Sequence, residues 1–147
     1  MRVPVALMLL AGFLGLCGCG RSGETVEWQG HTFREVRSLS RIPPALQESL
    51  GAGRPGTQGI ADRGQPFNPT DVVDERLPMR RFVTAGTDGD DWLVAIEHGG
   101  RGHFLEVLQF ASGAPERRQR WVLSQGRPGT LRNVVRRMAR GGRGDGE

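Results

Sequence analysis

A chain of 147 residues suffices for one domain with its own apolar core and is short for two of ordinary size. All 20 basic residues are Arg, set against 16 acids for a formal net charge of +4 and a pI near 10.7; with 23 Gly and no Tyr, this suits a GC-rich coding bias better than any particular chemistry. The only two cysteines, Cys17 and Cys19, stand two residues apart near the start, which excludes a disulfide-stapled scaffold and a Cys-rich metal fold.

The chain begins with a positive residue, Arg2, then runs apolar from Val3 to Leu16 and closes on the small residues around Gly18 and Gly20, the plan of an export signal. A bilayer-spanning helix needs about 20 apolar residues, so a retained membrane span fits less well. The stretch Leu16-Cys17-Gly18-Cys19 resembles the lipobox of bacterial lipoproteins, with Cys17 where Ala or Ser is usual. Cys17 is the poorer acceptor, because it follows Leu16, which is too bulky for the cleavage position. The resemblance implies cleavage after Gly18, a diacylglycerol thioether on Cys19 and acylation, for example with palmitate, of the new amino terminus. An ordinary secretory signal cut near Gly18 or Gly20 is the plainer alternative. Gly20 is not the Asp that in this family signals inner-membrane retention, which implies an outer-membrane anchor facing the periplasm. The resulting organisation is a signal peptide over 1–18, a lipidated tether over 19–23, a single α+β domain over 24–140 and a disordered tail over 141–147. In that compartment nucleic acid is not a partner, despite the basic pI. Beyond the anchor the chain looks like small lipoproteins of Gram-negative bacteria, with no named domain.

In the mature segment, alternation of Val26 and Trp28 against Glu27 and Gln29 predicts a β-hairpin over Glu24–Val36, turning at Gly30-His31. Leu46 and Leu50, four apart after Pro43-Pro44, predict a two-turn helix stopped by Gly51. Gly51 to Thr70 reads as a long, mobile, Gly-rich loop. It contains Gly51-Ala52-Gly53-Arg54-Pro55-Gly56, a three-glycine string that fails as a dinucleotide fingerprint because it follows a helix and Pro55 disfavours a helix start. Asn68 is placed as the cap of one helical turn through Asp74. Three apolar runs follow, Arg80–Ala85, Trp92–Glu97 and His103–Phe110, divided by Asp-Gly and Gly-Gly turns. They predict an antiparallel meander whose middle strand has one strongly apolar face, Trp92, Val94 and Ile96. Arg118–Ser124 is a further strand. Thr130 then caps a closing helix in which Leu131, Val134, Val135 and Met138 form the apolar stripe and Arg132, Arg136 and Arg140 the opposite side.

The fold class expected is therefore α+β, an antiparallel sheet of about four to six strands with the C-terminal amphipathic helix packed on one face. Nucleophile-elbow and zincin motifs are absent from the sequence, so no catalytic residue and no cofactor is assigned. Two functional classes remain. The first is a non-catalytic binding or assembly module that uses Arg132, Arg136 and Arg140 against an acidic envelope component, whether peptidoglycan, lipid phosphate or protein. The second is a small metal-dependent hydrolase, in which His98 and His103 would flank a hairpin tip and face each other with a nearby carboxylate as third zinc ligand.

Overall fold

The structure is a computed structural model and describes residues 23–112, 114–124, 129–141 and 143–146. Its strands are β1 (Thr25–Trp28), β2 (His31–Val36), β3 (Gly56–Ala61), β4 (Pro78–Thr87), β5 (Asp91–His98), β6 (Phe104–Ala111), β7 (Arg117–Leu123) and β8 (Arg143–Gly146). Two helices, α1 (Pro44–Leu50) and α2 (Leu131–Ala139), and a short 3-10 turn, Leu39–Arg41, complete it. The sheet order is β1-β2-β4-β5-β6-β7-β8, with every neighbouring pair antiparallel, while β3 adds to β4 in parallel. The chain is thus mostly antiparallel sheet followed by a C-terminal helix and a last edge strand, and it holds more strands than the four to six expected.

The β1–β2 hairpin turns one residue earlier than expected. Trp28 pairs with His31, leaving Gln29 and Gly30 as a two-residue loop, both at positive φ (49° and 83°). That is the conformation a primed turn needs to match the twist of its strands. Pro44 occupies the start of α1, where its missing N–H costs nothing, and the N–H of Gly51 closes the helix on the Gln47 and Glu48 carbonyls.

Every residue of β5 except His98 is buried, so the middle strand is apolar on both faces rather than one. On one face Leu93, Ala95, Leu105 and Val107 join the stripe Leu131, Val134, Val135 and Met138 of α2 in a single core. On the other, Trp92, Val94, Ile96 and Phe110 pack with Leu39, Ile42, Leu46 and Leu50 from the 3-10 turn and α1. Each such side chain contributes roughly 1.5–3 kcal/mol by leaving water, before the entropy of ordering is subtracted. Trp28 of β1 and Trp121 of β7 meet edge to face, 6.4 Å between ring centres.

Three local expectations are corrected. The Gly-rich segment 51–70 is not a bare loop, because Ile60 and Ala61 are buried and pair with Arg80 and Arg81. Asn68 does not cap a helical turn. Its buried amide donates to the Asp74 and Leu77 carbonyls, its Oδ1 accepts the Asp74 N–H, and the segment closes as an irregular loop. Finally, residues 143–146, expected within a disordered tail, pair along Gln119–Val122 of β7.

Candidate functional site

The end of the β5–β6 hairpin gathers His98, His103, Glu97 and Glu106 with Arg81 and Arg120, and the register decides how they meet. His98 lies opposite Phe104 and Glu97 opposite Leu105, so the loop between the strands is five residues long, Gly99–His103. Side chains alternate along a strand, so His98 and His103 fall on opposite faces of the sheet. The expectation that they face each other is therefore overturned, because it assumed a four-residue loop that would have put the two histidines in register.

Each imidazole is held by its own carboxylate. His98 Nε2 is 2.8 Å from Glu106 Oε2, and the His98 ring stacks on Phe104 with 4.4 Å between centres. Arg120 Nε donates to the other Glu106 oxygen. On the opposite face His103 Nε2 is 2.7 Å from Glu97 Oε1, while Arg81 donates from Nε (3.0 Å) and Nη2 (2.6 Å) to Glu97 Oε2. The Arg81 guanidinium also lies 4.2 Å above the Phe67 ring, a cation–π contact. Burial alone would raise the Glu106 carboxyl, but hydrogen bonds from His98 and Arg120 outweigh it and hold its pKa at about 2. In each triad the carboxylate has a donor on both of its oxygens. The triads brace the hairpin end, and they do not converge on a shared point. Among the described residues no group of three or more His, Cys, Asp or Glu side chains is arranged to hold a metal ion.

A third buried carboxylate, Glu35 on β2, does what Thr130 was expected to do. Thr130 makes no side-chain bond at the start of α2; the Leu131 N–H donates instead to Glu35 Oε1 at 2.9 Å. Thr84 Oγ1 reaches the same oxygen and Arg37 Nε the other. Burial works to raise the Glu35 pKa, yet these donors bring it below the ordinary 4.5. A carboxylate at a helix N-terminus also meets the positive end of the helix dipole.

Of the three Arg assigned to the outer side of α2, all are exposed, but they are not equivalent. Arg132 is ion-paired with Glu24 at the entrance to β1 and reaches the Thr25 carbonyl. Arg136 and Arg140 bond to no other described side chain, and Leu131–Ala139 contains no acid, so the uncompensated charge on the outward side of α2 is positive. Cys19 lies outside the described residues.

Sequence reasoning missed Arg80. Its half-buried guanidinium donates to the carbonyls of Leu50 (2.8 Å), Gln58 (2.6 Å) and Gly59 (3.2 Å), tying β3 to the end of α1. Burial lowers its pKa, but a guanidinium stays charged throughout the physiological range. Also missed was an open cleft of about 480 Å³ lined by Leu39, Arg54, Pro55, Ile60, Asp62 and Arg76. Its size suits a small ligand; of its charged groups Asp62 accepts from Ser38 and the Leu39 N–H and Arg76 chelates Asp74, while Arg54 makes no side-chain bond to a described residue. No sequence signal pointed to either, since both depend on contacts between distant segments.

No protein-family model matches the chain, and neither curated proteins nor solved structures match it. Among the described residues no helix is long and apolar enough to cross a membrane.

Proposed function

We propose that the chain is a lipid-anchored envelope protein, held in the outer membrane facing the periplasm, whose folded domain is a non-catalytic binding module for an acidic envelope component. The observation that carries this reading is the sequence Leu16-Cys17-Gly18-Cys19 at the end of a short apolar run behind Arg2. The remaining architecture is consistent with binding: the buried carboxylates are each paired with donors, and the outer side of α2 carries two exposed Arg, Arg136 and Arg140, with no described side-chain partner. In this reading the sheet is a meander and α2 lies on its face through Leu131, Val134, Val135 and Met138, which leaves Arg136 and Arg140 turned outward. Arg suits such a role because its planar fork matches carboxylate and phosphate oxygens.

The test is metabolic labelling with a fatty acid in cells producing the wild type or Cys19→Ala. The wild type takes up label and runs at the mature size, whereas the variant stays as an unlabelled precursor. Undiminished labelling of the variant would remove the anchor from the account.

A further inference from the structure

Arg132 is not only one of the outward arginines; it is bonded to Glu24, the second described residue. Five residue steps separate Cys19 from Glu24, and a fully extended chain covers at most about 3.6 Å per residue, about 18 Å in all. A lipid on Cys19 therefore keeps Glu24 within about 18 Å of the anchored residue, and the start of α2 lies one Glu24–Arg132 ion pair beyond it. Arg136 and Arg140 follow on the same side of the helix, one and two turns further, at 1.5 Å per residue. The tether thus holds the positive side of α2, together with the start of β1, within reach of the membrane. Of the nearby acids, Glu24 is neutralised by Arg132, while Glu27 accepts from the Thr32 hydroxyl and keeps its charge.

We infer that the outward side of α2 is a membrane-contacting surface, with Arg136 and Arg140 seated on the phosphates of the leaflet that holds the Cys19 anchor. This rests on the lipid-anchor reading above and names the partner of the same basic side. Phosphate is favoured over peptidoglycan carboxylate by reach, because the tether brings this surface to headgroups and not to a layer further out. The acyl chains supply attachment, and the arginines supply orientation. With α2 turned to the headgroups, α1 and the 480 Å³ cleft, which sit with the opposite face of the sheet, look into the periplasm.

The experiment uses full-length lipidated protein reconstituted into vesicles of phosphatidylcholine alone or of equimolar phosphatidylcholine and phosphatidylglycerol. A polarity-sensitive fluorophore is placed at Asn133→Cys on α2, or at Ala45→Cys on the exposed side of α1 as control; both native positions are exposed. Emission from position 133 shifts to the blue only in the anionic vesicles, and position 45 does not respond. The shift disappears at 1 M salt, where the Debye length is about 3 Å, and is lost in Arg136→Gln/Arg140→Gln. That variant removes no side-chain hydrogen bond or ion pair with a described residue, and an unchanged circular dichroism spectrum establishes that it is folded. An anchored protein whose position-133 emission is the same in both vesicles overturns this inference and leaves the anchor standing. Co-sedimentation with purified cell wall that is lost in the double variant, without any vesicle response, also overturns it and assigns the surface to peptidoglycan. Protein with no lipid on Cys19 that stays out of both vesicle types overturns both readings.

Discussion

Glu106 is buried among apolar residues yet carries a full charge, and this is sustainable because His98 and Arg120 each donate to one of its oxygens. Its carboxyl is held at about 2 against an ordinary 4.5. A group with a lowered folded pKa adds stability above its unfolded value and loses it as pH falls through the folded one. Glu106 thus contributes at neutral pH and weakens the fold between about pH 4.5 and 2, by on the order of a few kcal/mol. Glu106→Gln should be destabilised by about 2–3 kcal/mol at pH 7, and its stability should fall less steeply than wild type below pH 4.5. Urea unfolding across that range checks this; parallel pH profiles would contradict it. At this scale little was legible in advance. His98 and His103 were visible as a pair, but whether they share a face depends on a single residue of loop length. Glu35 stands 96 residues from the amide that it caps, a relation that no local pattern encodes.

At the scale of elements, β5, β6 and α2 were readable because their apolar residues recur with periods that survive any tertiary context. β3 was not. In Gly56–Ala61 only Gly59, Ile60 and Ala61 are buried, too short a run to stand out among glycines. Those glycines were taken for looseness, but Gly59 marks close approach: a Cβ there would lie 1.8 Å from the Arg54 carbonyl oxygen. Gly102, by contrast, has nothing within 4 Å of the equivalent position. Gly59→Ala should cost roughly 1–3 kcal/mol, several degrees of melting temperature for a domain of this size, while Gly102→Ala stays within about 0.5 kcal/mol of wild type. Equal melting temperatures for the two would mean that the Arg54–Gly59 turn is as loose as its composition suggests. Thr130 failed as a cap for a related reason. Its type fits the position, but the Asn133 N–H that its hydroxyl would take goes to the Thr130 carbonyl, and a carboxylate from β2 supplies the first amide, Leu131, from outside.

For the whole molecule, the class was legible and the enclosure was not. One apolar face was expected on the middle strand, and the sheet buries both, because the short Leu39–Arg41 and Pro44–Leu50 segments contribute as large a core as α2 does. Charge at this scale is uneven, with nine Arg against three acids from residue 116 onward. The start of the described chain meets α2 where Glu24 pairs with Arg132, so under the proposed anchor Cys19 and a basic helix encoded more than a hundred residues later would act at one surface. Everything functional in this account depends on that anchor. The most direct measurement is mass spectrometry of the amino-terminal peptide of protein extracted from the cell envelope. The account predicts a peptide that begins at Cys19 and carries a diacylglyceryl group on its sulfur together with an acyl chain on its amino group. A peptide that begins at any other residue, or at Cys19 with a free thiol, would contradict it.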